Sequence, residues 1–307
     1  MKDDKCPNIG GQAVIEGVMM KGTEFLATAV RRENGEIVYR RKKILKDRFG
    51  LFEKPFFRGV FMLFETLIMG IKELMFSAVE AGEEEEEELT DFQLGLTLFI
   101  SLGIGISLFI LLPSIAGNFF GNNLTANIVE GAIRLSLFVT YVYLISLSKD
   151  IRRVFQYHGA EHKSIYAYEN NEELTVENVK KYTKLHPRCG TSFLILVMVL
   201  TIIIYSFVDT IFLETDVFWI RTLTKFGLRL VFLPLVASIA YEFQRYTSRN
   251  LDKPLIRIVA GPGLLLQRIT TREPDLEQLE VGIVALRAAL GEENIENASE
   301  VFAKNKL

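Results

Sequence analysis

Residues Leu94 to Leu112 read LGLTLFISLGIGISLFILL, nineteen positions without a charged side chain. At 1.5 Å per residue a helix of that length crosses a hydrocarbon core of about 30 Å, where only a helix or a closed barrel satisfies its own backbone. The stretch is therefore expected to be a spanning helix. A second run, Ser192 to Phe207, is as apolar and extends to Leu213 by taking in Asp209 near its outer end. Two further stretches, Ile128 to Leu147 and Phe226 to Phe243, carry Glu130 with Arg134 and Arg229 with Glu242. Charges at that depth must face protein or water, or snorkel to the interface, so both stretches are also expected to span. A composition of 49% hydrophobic and 24% charged residues over 307 positions fits apolar and charged residues sorted into separate blocks.

Positive charge sets the expected orientation, because cytoplasmic flanks keep Lys and Arg. Residues 1–58 hold thirteen, 148–191 hold eight and 244–307 hold nine, whereas 113–127 hold none and 209–222 only Arg221. That alternation fits four spans in an inner membrane with both termini cytoplasmic. The first twenty residues have no continuous apolar core, so the first span is expected to direct insertion. A formal net charge of −3 excludes nucleic acid as the partner class, and the two cysteines, Cys6 and Cys189, exclude a disulfide framework.

Residues 58–80 are apolar but broken by Glu65, Lys72 and Glu73. Were they a span, the basic N-terminal segment would lie outside, so they are expected to form an amphipathic helix on the inner surface or against the bundle. The acidic run Glu83–Glu88 reads as a solvated linker. Short β-prone runs between Ala13 and Leu45, with Asn34-Gly35 as a hairpin signal, predict a small cytosolic β element. Helical spacing through Leu276, Leu279, Ile283, Leu286 and Leu290, with Pro274 where a helix can start, predicts a cytosolic C-terminal helical segment, folded on the same side as the β element. The expected fold is a mainly α membrane protein. Its parts are a β element (1–57), an interfacial helix (58–82), an acidic linker (83–91), a four-span domain (92–247) and a C-terminal segment (248–307).

All three histidines fall in the connection between the second and third spans, residues 148–191: His158 and His162 in YHGAEHKSIYAYE, and His186 in HPRCG. The four-residue step from His158 to His162 puts two imidazoles on one helix face, about 40° apart, which lets both reach one metal ion. Glu161 completes a His-x-x-Glu-His order, the inverted zinc-peptidase pattern, in which a carboxylate beside a ligand takes a proton from water. His186 and Cys189 add two ligand types just before the third strong span. Three histidines with an open fourth position would make a catalytic site, and a tetrahedron closed by Cys189 a structural one; both remain open at this point. Glu169, seven residues after His162, is a further ligand or hydrogen-bond acceptor for it. Lys163 and Arg188 are available to stabilise an anionic substrate, although facing water or headgroups is the commoner role.

The opening GGQAVIEGVMMKG lacks the order of a phosphate loop or a dinucleotide fingerprint; tight turns explain its glycines, and Glu16 is a candidate carboxylate for the same site. Glu130 and Arg134 have the i, i+4 spacing of a self-neutralising pair, favouring a structural role.

GGQAVIEGVMM, YHGAEHKSIYAYE, HPRCGTSF and LQRITTREPD, in that order, resemble the bacterial YqhQ-like family over nearly the whole chain. The resemblance implies a multi-pass membrane protein of unknown function with a predicted metal-dependent activity, and its histidine and cysteine motifs fall on His158, Glu161, His162, His186 and Cys189.

Together these features lead to the expectation of a metal-dependent membrane enzyme. His158, His162, His186 and Cys189 are the metal ligands and Glu161 the catalytic base. The divalent ion is expected to be zinc, and the reaction a hydrolysis at the cytosolic membrane face. Membrane lipids are partners, the substrate is a small molecule, a lipid or a peptide, and a homo-oligomer is allowed. The rival classes are a transporter or channel subunit working through the intramembrane charges, and a scaffold with a structural metal.

Overall fold

The computed structural model describes residues 9–44, 57–82, 91–120, 123–213, 217–250 and 253–301; Cys6 and the acidic run Glu83–Glu88 lie outside the described residues. The fold is mainly helical with one sheet. Strands β1 (Gly10–Val14), β2 (Gly17–Lys21), β3 (Phe25–Arg31) and β4 (Ile37–Lys43) form an antiparallel meander, and β5 (Ala298–Glu300) adds to β4 in parallel. The C-terminal segment thus completes the N-terminal sheet, and the two form one unit.

Side chains alternate across the sheet with period two, and each set has its own cover. Val18, Met20, Ala27, Ala29, Ile37 and Tyr39 face α5 (Lys149–Glu169) and α10 (Leu276–Leu290) in the main core. Met19, Leu26, Val30 and Val38 face α1 (Phe57–Ala81) on the other side. Burial of both faces explains why β2 reads as a near-continuous apolar run.

The hairpin signalled by Asn34-Gly35 forms between β3 and β4, and the place of Pro274 is corrected. At Asn34-Gly35 only Gly35 has positive φ; Arg32 pairs with Glu36 around a three-residue loop, and the Asn34 side chain accepts from the Glu36 N–H. That is a loop with glycine at its left-handed position, not a two-residue turn. Pro274 precedes α10 rather than starting it, because Asp275 is the N-cap and forms a capping box with Gln278.

Four helical stretches are long and apolar enough to cross a membrane: Gly95–Gly117, Leu124–Ile145, Gly190–Phe212 and Phe218–Thr247. The first is built of α2 (Asp91–Ile106), a π-helical turn (Ser107–Leu111) and α3 (Leu112–Gly117). Pro113 lacks the N–H that would bond the carbonyl four residues back, and that carbonyl, Phe109 O, accepts from Arg134 Nε at 2.8 Å. The others are α4 (Asn123–Ile145), α7 (Gly190–Phe212) and α8 (Phe218–Arg249). Helix α7 lies against α4, α8 and α9 (Pro254–Thr270). Helix α1 packs against both the sheet and α8, the bundle-packed alternative of the two expected for it.

Glu73 fastens α1 to the sheet. Its buried carboxylate accepts from Thr28 Oγ1 (2.8 Å), Arg40 (2.7 Å) and Lys42 (2.9 Å). Burial alone would raise its pKa, but the three donors hold it below the ordinary value. A depressed carboxylate contributes stability that is present above its unfolded pKa and lost as pH falls towards the folded one. Glu73→Gln is therefore expected to cost about 1–3 kcal/mol at pH 7. Thermal unfolding of wild type and variant at a series of pH values should show the difference shrinking below about pH 4.5.

Candidate metal centre

Helix α5 carries YHGAEHKSIYAYE, and its His158 and His162 project from adjacent turns with ring centroids 4.5 Å apart. The imidazoles are oriented by backbone carbonyls. His158 Nδ1 lies 2.8 Å from Thr270 O at the end of α9, and His162 Nδ1 is held by Lys184 O in the loop before α7. A carbonyl only accepts, so each Nδ1 carries the proton and each Nε2 presents a lone pair. Both Nε2 atoms point towards Cys189 Sγ. The His158 Nε2 to Sγ distance is 3.1 Å, and the three ligating atoms all lie within 4.8 Å of one another. His162 Nε2 is buried and has no hydrogen-bond partner among the described residues.

Cys189 is the N-cap of α7, with Sγ accepting from the Thr191 N–H at 3.5 Å. The positive end of the α7 dipole is thereby directed at the sulfur. Burial lowers the pKa of His162, only partly opposed by its contact with Cys189, and keeps the imidazole neutral. Two imidazole nitrogens and a sulfur converging in a desolvated site, each ring tied off behind by a carbonyl, form a donor set that fits a borderline-soft divalent ion.

His186 stands one ring further out, 5.6 Å from His162 by ring centroids and outside that group of three. Its Nδ1 accepts from the Arg188 N–H at 3.3 Å, so the proton is on Nε2, opposite to the other two rings. That Nε2 lies 3.5 Å from Glu169 Oε1. Burial pushes the His186 pKa down to about 4. Its backbone is clamped from α9 by Gln267, whose Oε1 accepts from His186 N and whose Nε2 donates to His186 O, both at 2.8 Å.

Glu161 is buried beside His158, with Oε2 3.8 Å from His158 Nε2. Burial raises its pKa, countered in part by the nearby His158 and His186 and by the Gly11 N–H that donates to the carboxylate. Gly11 of β1 is where the glycine-rich opening meets this centre. A Cβ there would sit 2.8 Å from Glu161 Cγ and 2.7 Å from Met19 O, so only glycine allows the approach.

Other candidates are engaged elsewhere. Glu16 holds Arg153 and accepts from Tyr157 Oη at 3.1 Å, so it does not supply a carboxylate here. Lys163 binds Glu273 and Lys180 O, and Arg188 pairs with Glu169, so neither charge is directed at a substrate. The Thr270 and Lys184 carbonyls and Gln267 escape sequence reading, because a carbonyl leaves no residue-type signal. The LQRITT motif could have found the Gln267 and Thr270 segment.

The α5 face works only because Gly159 follows His158. A Cβ at residue 159 would lie 2.1 Å from Arg272 O, in the segment that carries Thr270. Gly159→Ala is expected to cost about 1–3 kcal/mol through overpacking and to move Thr270 O off His158. Thermal unfolding and metal titration of the variant check both effects, with a metal affinity lowered about 10–100-fold.

The family described as "Protein of unknown function (DUF1385)" matches residues 54–292. The "Uncharacterized protein YqhQ" of Bacillus subtilis (strain 168) is 34% identical over 320 aligned positions, covering 98% of each chain. No solved structure matches the chain.

Proposed function

We propose that this chain, which belongs to the DUF1385 family of proteins of unknown function, is a multi-pass inner-membrane enzyme that holds a divalent metal, zinc first, at its cytosolic face. His158, His162 and Cys189 are the ligands, and the reaction is a hydrolysis. The observation that carries this reading is the convergence of His158 Nε2, His162 Nε2 and Cys189 Sγ within 4.8 Å, with both imidazoles already in the ligand tautomer.

Membrane residence is supported by the four apolar helices and by outward-facing apolar side chains such as Phe99, Leu102 and Ile104. The distribution of Lys and Arg supports cytoplasmic termini. His158, His162 and Cys189 would hold the ion, which would supply Lewis acidity to the reaction. Glu161, with its pKa raised by burial, takes the proton of the attacking water and returns it to the leaving group. Gly11 N–H keeps the carboxylate in place while it does so. His186, whose Nδ1 accepts from the Arg188 N–H and whose Nε2 stands 3.5 Å from Glu169, belongs to the surround of the centre rather than to its imidazole ligands. The substrate is a small molecule, a lipid or a peptide reaching the inner leaflet.

A second reading, a structural metal clip, is favoured by one observation: Cys189 and His162 are both buried, and the donors tie α5 to the N-cap of α7. One experiment separates the two. Bound metal is measured on detergent-purified protein, alongside turnover of phosphoester, carboxylic ester and amide probes. Wild type should carry about one ion per chain, and His158→Ala, His162→Ala and Cys189→Ser should lose most of it. Glu161→Gln should keep the ion and lose turnover by about 100-fold or more. Metal-free wild type would overturn the metal centre. A Glu161→Gln variant with full turnover would overturn Glu161 as the base, and metal without turnover on any probe would favour the clip.

A further inference from the structure

A second cluster of charge lies in the apolar bundle, at the opposite end from the histidines. Asp209 follows Cys189 by twenty residues along α7, about 30 Å. Around it gather Glu130 and Arg134 from α4 and Lys225 and Arg229 from α8, each at most 7% exposed. The expectation of a local Glu130–Arg134 pair is too narrow. The pair exists at 2.7 Å, but it is one edge of a five-residue network spanning three helices.

The hydrogen bonds of this network are unevenly shared. Arg229 donates to Glu130 Oε1 and Oε2 (both 3.0 Å), to Asp209 Oδ1 (2.6 Å) and Oδ2 (2.9 Å), and to Asn127 Oδ1 (2.7 Å). Arg134 donates to Glu130 Oε1, Thr201 Oγ1 and Phe109 O. Ser114 Oγ adds a further donor to Glu130 Oε1 at 3.1 Å, and Asn127 Nδ2 one to Asp209 Oδ2 at 2.8 Å. The carboxylate oxygens are therefore already supplied. Lys225 is the exception. Its Nζ is fully buried, stands 3.7 Å from both Glu130 Oε2 and Asp209 Oδ2, and makes no hydrogen bond among the described residues.

Among the described residues, three cationic side chains against two carboxylates leave the cluster one positive charge in excess, and a buried ammonium whose hydrogens are unused is among the costliest groups to keep in an apolar interior. Intramembrane charges either pair with one another or mark pathways and binding sites for ions and substrates. Arg221, Lys225 and Arg229 recur every fourth residue on one side of α8, so a line of positive charge runs from near the start of the helix to the cluster. Size and charge both follow from the deficit: one acceptor group carrying one negative charge.

We propose that Lys225 is the recognition group of a second binding site, independent of the histidine centre, that takes one singly charged oxyanion, either a carboxylate or a phosphodiester. The anion accepts from the Lys225 ammonium beside Glu130 and Asp209, which Arg229 and Arg134 keep neutralised. A soluble anion and a lipid headgroup offer this same chemistry.

The test follows thermal unfolding of the full, detergent-purified chain at constant sodium chloride. Sodium acetate, dimethyl phosphate, phosphatidylglycerol and phosphatidylcholine are titrated separately. Wild type should be stabilised saturably by acetate or dimethyl phosphate if the source is soluble, or by phosphatidylglycerol but not phosphatidylcholine if it is a lipid. Lys225→Met should lose the response and Lys225→Arg should keep it, with bound metal unchanged in both. Should Lys225→Met fail to fold, Lys225→Gln takes its place. Absence of a response in wild type, or a response that survives neutralisation of residue 225, overturns the proposal.

Discussion

The crossing of Thr270–Arg272 over α5 is the contact on which the rest of the molecule depends. Arg272 N donates to Phe155 O at 2.8 Å, Arg272 O rests on Gly159, and Thr270 O holds His158 Nδ1. Through these bonds the end of α9 locks a helix that otherwise belongs to the sheet. Because α9 also grips α7 and the His186 backbone through Gln267, three elements distant in sequence are held in register. The two imidazoles and the thiol meet as a consequence, since α5 provides the first and the N-cap of α7 the second.

The two ends of the bundle treat buried polarity in opposite ways. At the histidine end burial lowers the pKa values of His162 and His186 and raises that of Glu161, and carbonyls select the tautomers of His158 and His162. At the far end full charges are retained and neutralise one another through an arginine fork that reaches two carboxylates at once. The first arrangement suits lone pairs offered to a cation. The second has the supply that the proposed anion site rests on: among the described residues its carboxylates are hydrogen-bonded and the Lys225 ammonium is not. That difference in hydrogen-bond supply, rather than residue count, separates the two sites chemically.

Much of the fold was legible before the coordinates. A nineteen-residue apolar run has few alternatives, and the β-prone runs between Ala13 and Leu45 foretold strands. His158 and His162 share a helix face by arithmetic alone. What escaped was whatever depends on the backbone of another segment. Asn34-Gly35 signalled a turn but not its length. The Glu130–Arg134 spacing described a pair, while Asp209 and Arg229, distant in sequence, turned it into a network. Glu16 seemed available until Arg153 claimed it. His186 has the right side chain for a ligand, yet the Arg188 N–H on its Nδ1 sets the other tautomer.

Taken alone, the sequence determined which segments are helical and apolar, that the histidines crowd one connection, and which residues can share a face, because these follow from period, length and charge along one chain. Tertiary structure decided which donors meet, which nitrogen of each imidazole is free, that β5 adds to the sheet, and that Lys225 makes no hydrogen bond among the described residues. Those outcomes depend on carbonyls, on N–H groups and on the few tenths of an ångström that glycine allows. Backbone groups are the same at nearly every position, so only their arrangement in space carries that information.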